Sequence, residues 1–472
     1  MKKTKIVCTV GPASSDKEIL RQMINAGMDV MRLNFSHGSH EEHKERIDMM
    51  KELRQETGRH IGIMLDTKGP EIRTGVFESP VVLEQGQRFV LTARDIVGNK
   101  EGCSVTYKEL PKDISAGGRI MIDDGLIELK VESVDGTDIN CIVINSGTVS
   151  SRKGINLPGV RTNLPAITDK DKEDLIFGAS CGVDFIAASF VRKPEDVKLI
   201  RGILDEHGGN EIKIIAKIEN QEGVENLNEI LAVADGIMVA RGDMGVELSP
   251  EQIPLIQKKM IQACNKVGKP VITATQMLDS MMRNPRPTRA EVGDVANAIL
   301  DGTDCVMLSG ETAAGKYPVG AVEMMRDIAV ATEESLDYEN ILAKKKEHQS
   351  EDVTNAIGYA TVIVAENLNA SMILTASSSG FAGRMVSKFR PKAPIFVTTD
   401  SIETARRLSV TWGVYPVIIK EQKNEEEIYK QSVEAVLAET DFLKKGDKVI
   451  FTAGFPFGKS GSTNMMKVHV IK

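Results

Sequence analysis

The sequence predicts an α/β protein: a (β/α)8 barrel, a small all-β domain inserted into it, and a C-terminal α/β domain. Three observations carry this expectation. Eight short, β-branched apolar runs alternate with helical patterns, as in a parallel sheet covered on both faces. Each run ends in polar residues, as at the catalytic face of a barrel. The third and fourth runs are more than a hundred residues apart, far beyond an ordinary loop.

The eight runs are Lys5–Val10, Val30–Phe35, Ile61–Thr67, Val183–Phe190, Lys213–Glu219, Gly236–Arg241, Pro270–Thr275 and Cys305–Ser309. Residues 1–70 and 168–343 are therefore assigned to the barrel. In the interval 71–167 the pattern changes to short segments such as Arg88–Thr92, Arg119–Asp123 and Ile139–Ile144. The dipeptides Asp124-Gly125 and Asp135-Gly136 are hairpin signals, so this insertion is expected to be a β-barrel lid over the strand ends. Lys344–Asp352 reads as a charged linker. Residues 352–472 carry a second α/β pattern, with strands expected at Met372–Ala376, Pro394–Thr399, Val414–Ile419 and Val449–Thr452 on a mixed sheet.

Bulk properties narrow the function classes. A chain of 472 residues exceeds one hydrophobic core, and 41% hydrophobic with 27% charged residues is ordinary for a globular protein. The net charge of −8 argues against nucleic acid as the main partner. It allows small phosphorylated ligands where local cations offset the background. Six scattered cysteines without a CxxC pair read as reduced thiols of a cytoplasmic protein. The start Met1–Cys8 reads as a first strand, not a signal peptide, and no stretch is long enough to span a bilayer.

The strand ends carry the chemistry. Arg32, Asn34 and Ser36 alternate and share a face, which suits an anionic ligand beside a hard cation. Asp66 and Thr67 add oxygen ligands from the next strand, and together the two segments look like a monovalent-cation or magnesium pocket. Lys217 and Glu219 share a face too. The lysine suits a transferring phosphoryl group, a Schiff base, or only an ion pair. Glu219 and Asp243, on adjacent strands, form a carboxylate pair of the kind that holds magnesium beside a phosphorylated substrate. Gly242 allows close backbone approach and opens a helix. Thr275 suits a substrate hydrogen bond or a proton relay, although a threonine satisfying its own backbone is commoner. Gly310–Lys316 fits a phosphate-loop spacing, but Tyr317 replaces the required hydroxyl and excludes that reading. His37, His40 and His43 only partly share a face and read as solvated or packed. In the last domain Ser377-Ser378-Ser379-Gly380 precedes a helix as a phosphate nest. Gly454–Thr463 forms a second Gly/Ser loop, with Trp412 between the two in sequence.

These motifs resemble pyruvate kinase: Met31–His37, Leu65–Arg73, Lys217–Gly223, Met238–Asp243, Ile272–Met277 and Met307–Thr312, in order over essentially the whole chain. The resemblance is to a bacterial type without an added C-terminal phosphotransfer domain. It implies phosphoryl transfer from phosphoenolpyruvate to ADP, giving pyruvate and ATP. It also implies substrate contacts at Arg32, Gly242, Asp243 and Thr275, and catalysis by Lys217, Arg32 and Thr275. Asn34, Phe35, Ser36, His37, Arg73 and Lys153 match nucleotide positions. Glu219 and Asp243 match ligands of Mg2+ (or Mn2+); Asn34, Ser36, Asp66 and Thr67 match ligands of K+. Glu71 matches the potassium-dependent subclass, whereas members with lysine at this position dispense with the ion, since an ammonium can replace its charge. The last domain resembles an effector domain that takes a phosphorylated allosteric effector through Ser377, Ser378, Ser379, Gly380, Trp412, Gly458, Ser460 and Gly461. Ser378, Phe381 and Ala382 depart from the bisphosphate-regulated pattern, so a sugar monophosphate or AMP is as open as a bisphosphate. A homotetramer is expected by the same resemblance. The rival readings are a barrel lyase or aldolase using Lys217 or Mg2+, and a non-catalytic metabolite sensor.

Overall fold

The computed structural model describes residues 1–346, 352–420, 425–439, 443–455 and 463–471. Eight parallel strands close a barrel: β1 (Lys5–Thr9), β2 (Val30–Asn34), β3 (Gly62–Asp66), β4 (Phe185–Ala188), β5 (Lys213–Ile218), β6 (Gly236–Ala240), β7 (Val271–Ala274) and β8 (Cys305–Leu308). Neighbours in sequence are neighbours in space, and β1 closes on β8 with Lys5 opposite Cys305. The helices that cover the barrel start where their sequences cap them. Ser39 with Glu42, Thr168 with Asp171 and Thr288 with Glu291 each form a reciprocal capping box.

Inward-facing positions follow the period of two. Val7, Val30, Met64, Phe185, Ile215, Met238, Ile272 and Cys305 fill the lower barrel, together with Val410 from the C-terminal domain. Two residues further along β2, β3 and β5 the same rows hold Arg32, Asp66 and Lys217. One end of the interior is therefore apolar and the other charged.

The strands of the insertion form a seven-stranded sheet and a separate two-stranded sheet, with one helical turn at Leu110–Asp113. The main sheet closes on itself: its two outer strands meet at the Thr74–Val105 bridge, where the Thr106 N–H donates to the Arg73 carbonyl at 2.9 Å and the Gly75 N–H to the Ser104 carbonyl at 2.7 Å. Both glycine hairpins are present: Ile122 pairs with Ile127, and Asp135 with Asp138. One carboxylate ties together the chain's departure and return. Asp171 accepts from the Gly69 N–H at 2.9 Å and from the Thr168 hydroxyl at 2.6 Å.

The C-terminal domain is a mixed five-stranded sheet in the order β11 (Val414–Ile418), β10 (Ile395–Thr399), β9 (Met372–Ala376), β12 (Lys448–Gly454) and β13 (Thr463–Val470). The strand β13, which pairs antiparallel with β12, is absent from the expected set. The domain docks where the barrel strands begin, opposite the charged end. Lys5 Nζ reaches the Val414 carbonyl at 2.7 Å, and Arg390 reaches Asp304 at 2.9 Å. Buried Glu333 accepts from the backbone N–H groups of Lys3 (2.8 Å) and Thr4 (2.6 Å). No helix among the described residues is long and apolar enough to cross a membrane.

The substitution Glu333→Ala strands two buried N–H groups at the root of β1. It should cost about 2–4 kcal/mol, read as a lower denaturant midpoint, while Glu333→Gln should lose less than half of that.

Candidate active site

The charged end of the barrel is organised around Asp66, which is fully buried at the end of β3. Its Oδ2 accepts from Arg32 Nε at 2.6 Å. Its Oδ1 accepts from Lys217 Nζ at 3.1 Å and from the Ser189 hydroxyl at 3.2 Å. Arg32 also donates to Thr9 Oγ1 at 2.8 Å, and Lys217 to Ser189 Oγ at 2.7 Å. Burial alone would raise the Asp66 pKa, but Arg32 and Lys217 overcome it and hold the carboxyl below its ordinary value.

Lys217 also lies 2.9 Å from Glu219 Oε1. Burial works to lower the lysine pKa, yet Asp66 and Glu219 outweigh it and push it above the ordinary value. Glu219, 2% exposed, is pushed up to about 7, first by burial and then by Asp243, against the pull of Lys217. Asp243 is raised as well, by burial. Two carboxylates that both resist ionisation at one place form a donor set that fits a cation. Among the described residues no group of three His, Cys, Asp or Glu side chains is gathered at ligating distance. A hard divalent ion here would thus take the rest of its shell from water and substrate oxygens.

Three left-handed residues mark the strand ends. Phe190 (φ 54°) turns its N–H to Glu219 Oε2 at 2.5 Å. Its ring leaves no room at Gly69: a Cβ there would approach the ring to 2.6 Å, and Gly69 itself has φ 74°. Thr275 (φ 68°) and Gln276 (φ 54°) follow β7, and a β-branched residue in that region is strained. Arg241 clamps the strained turn, donating to the Ala274 carbonyl at 3.0 Å and to the Thr275 carbonyl at 2.7 Å. Arg241 is itself held by Asp294 at 2.7 Å. The Gly242 N–H is taken by Thr275 Oγ1 at 2.7 Å.

Asn34 and Asp66 are register partners on β2 and β3, and Asn34 Oδ1 accepts the Ser36 N–H at 3.1 Å. Ser189 donates to the Thr67 carbonyl at 2.6 Å. Asn34, Ser36, Asp66 and Thr67 thus sit on consecutive strand ends. The Phe35 ring is buried and stacked on His43 at 3.9 Å, its N–H donates to the Asp66 carbonyl at 3.0 Å and its carbonyl accepts from Lys170 at 2.6 Å. His43 bonds the His37 carbonyl at 2.9 Å, and His40 bonds Asp174 at 2.6 Å, so both are packed side chains.

A cleft of about 710 Å³ separates the insertion from the barrel mouth and is lined by Asp243, Arg73 and Lys153 among others. The Asn34–His37 turn is not part of its lining. Arg73 pairs with Glu71 at 2.6 Å, and Lys153 with Asp123 at 3.0 Å. Half-buried Glu247 bridges to the insertion through Asn156 at 3.2 Å and the Leu157 N–H at 3.3 Å.

In the C-terminal domain Gly380 is left-handed (φ 72°) at the head of a short helix, and Thr404 donates to the Ser378 carbonyl at 2.7 Å. Trp412 is buried in the seam with the barrel, its ring 4.9 Å from the Arg390 guanidinium and 5.1 Å from Lys3 Nζ. Gly458, Ser460 and Gly461 lie outside the described residues.

Sequence reasoning passed over Ser189, the Phe190 N–H, Thr9 and Arg241. The signal for Ser189 was present: it continues the inward row Phe185, Ala187 on β4. Adding a methyl in Gly69→Ala should displace Phe190 from Glu219 and destabilise the protein by about 1–3 kcal/mol, measured as a fall in the thermal midpoint.

Residues 1–322 match the family described as Pyruvate kinase, barrel domain, and residues 355–469 match Pyruvate kinase, alpha/beta domain. The chain is 52% identical over 474 residues to pyruvate kinases of Staphylococcus haemolyticus (strain JCSC1435) and Staphylococcus aureus (strains MRSA252 and USA300). The match covers 100% of this chain and 81% of each relative. With a closed barrel, a C-terminal α/β domain and full-length matches of this kind, the chain is a phosphotransferase that belongs to the pyruvate kinase family.

Proposed function

We propose that the chain transfers the phosphoryl group of phosphoenolpyruvate to ADP, giving pyruvate and ATP, and that Mg2+ (or Mn2+) and K+ support the reaction. The observation that carries this is the buried knot of Asp66, Arg32, Lys217, Ser189 and Glu219 at the mouth of the barrel. A loose phosphoryl transition state needs placed charge more than a protein nucleophile. Arg32 and Lys217 supply it, held in fixed orientation by Asp66 so that little reorganisation is left for the reaction. Lys217 stays protonated beside two carboxylates, and this also tells against the aldolase reading, which needs a free amine.

Glu219 and Asp243 would hold the divalent ion, and Asn34, Ser36, Asp66 and Thr67 the potassium. When bound, these cations neutralise charge on phosphoryl and enolate oxygens. Gly242 and Asp243 lie with Thr275 at the adjoining strand ends, and the Thr275 hydroxyl would pass a proton to the enolate. Its proton bonds the Ala274 carbonyl at 2.6 Å, so it would have to reorient when substrate arrives. Arg73 and Lys153 in the cleft would receive ADP phosphates, exchanging Glu71 and Asp123 for the ligand. Movement of the insertion over the cleft would exclude water.

A phosphorylated effector at Ser377–Gly380, with the loop bearing Gly458, Ser460 and Gly461, is part of the same reading. So are a homotetramer and a cytoplasmic location. Trp412, buried in the seam, is not one of the effector's contacts.

Two experiments test it. ATP formation from phosphoenolpyruvate and ADP with Mg2+ should collapse when K+ is replaced by buffer cations, and Glu71→Lys should reduce that dependence; full activity without K+ in the unaltered chain overturns the potassium assignment. Lys217→Met should lower kcat by about 10²–10³-fold with a smaller change in the KM for phosphoenolpyruvate.

A further inference from the structure

A second cavity, about 760 Å³, lies at the opposite end of the barrel from Asp66, between helices Ile253–Val267 and Arg289–Asp301 and the C-terminal domain. Its lining includes Lys259, Lys266, Lys344, Lys345, Lys388 and Arg390, against a single acid, Asp301. That acid is engaged by Lys258 at 2.8 Å. Arg390 is paired with Asp304 at 2.9 Å, and its Nε has no partner among the described residues. The five lysines make no ion pair among the described residues.

Lys345 is the most enclosed of them. Its ammonium is held only by neutral acceptors, Asn265 Oδ1 at 3.3 Å and the Lys388 carbonyl. Burial first, then Arg390 and Lys388, push its pKa down to about 7 against the pull of Asp304. Lys388 is lowered by burial too, with Asp352 pulling it the other way. Five lysines face one acid across this cavity, and the half-buried ammoniums of Lys345 and Lys388 hydrogen-bond only neutral acceptors, so an anion is the natural occupant.

We propose that this seam cavity is an anion site for a small dianionic phosphate ester, with Lys345, Lys388 and Lys266 as its charged contacts. It is separate from the Ser377–Gly380 loop and from the cleft at the barrel mouth. Its volume falls within the range of small-molecule sites, and lysines act as point-charge phosphate binders. Its walls come from both domains, so an occupant would brace one against the other.

Trp412, the single tryptophan of the chain, lines the cavity and reports on it directly. The test titrates the full-length protein with inorganic phosphate against chloride at matched ionic strength and follows Trp412 emission. A saturable change is expected with phosphate alone, with its midpoint weakened by about tenfold or more in Lys345→Gln and kept in Ser378→Ala. Lys266→Gln, at the exposed rim, carries the same expectation if Lys345→Gln does not fold. The proposal is overturned if chloride reproduces the change or if both lysine variants titrate like the unaltered protein. Loss of the response in Ser378→Ala overturns it too, since phosphate would then be reporting from the C-terminal loop.

Discussion

A carboxylate buried away from water must find positive partners, and Asp66 finds two on different strands. This one requirement orders the working end of the barrel. Arg32 on β2 and Lys217 on β5 are drawn toward β3 from either side. Ser189, at the end of β4, fills the gap between them by accepting from the lysine and donating to Asp66. Removing Asp66 leaves the buried Arg32 without its carboxylate partner and takes from Lys217 one of its two, so the cluster acts as a unit and not as a sum of contacts. The chain leaves for the insertion immediately after this point, through Gly69, and Asp171 fastens the exit to the return. The orientation of the insertion over the site is thereby coupled to the same strand end.

The two ends of the barrel divide the work. At the start of the strands apolar side chains and Val410 form a plugged core, and the C-terminal domain is riveted on by Lys3, Lys5 and Arg390. At the far end polar side chains replace that packing, and the strained turn at Thr275 is tolerated because Arg241 holds its carbonyl and Asp294 holds Arg241. Stability is concentrated at one end and chemistry at the other, as the general behaviour of such barrels leads one to expect.

The sequence made the barrel legible because its strands are near-continuous apolar runs, which only a doubly covered parallel sheet accommodates. Alternation on β2 and β5 exposed Arg32 with Asn34, and Lys217 with Glu219. Ser189 was missed because one serine at a strand end is indistinguishable from an ordinary turn residue until Lys217 and Asp66 are placed around it. The insertion was legible as β structure through its Asp-Gly hairpins, whereas its separate two-stranded sheet depends on pairings distant in sequence, such as Thr148 with Val82. Strand β13 escaped because it lies at an edge with several exposed positions, which blunts the alternation. Trp412 was associated with the effector loops by sequence proximity, yet its backbone carbonyl is bonded by Ser387 and its ring lies against Arg390 and Lys3, in the seam.

The closure of β1 on β8 bears on how the chain is made. Lys5 pairs with Cys305, and the N–H groups of Lys3 and Thr4 are satisfied by Glu333. During synthesis at about 5–20 residues per second, the free edge of β1 therefore waits on the order of 15–60 s for its partner to emerge. Over that interval an apolar parallel edge is open to wrong pairing. The insertion, with its local hairpins, can fold well before the barrel that holds it. A ribosome-bound chain halted before residue 305 would then carry a finished β domain on an unclosed half-barrel, the stage at which chaperones have most to protect.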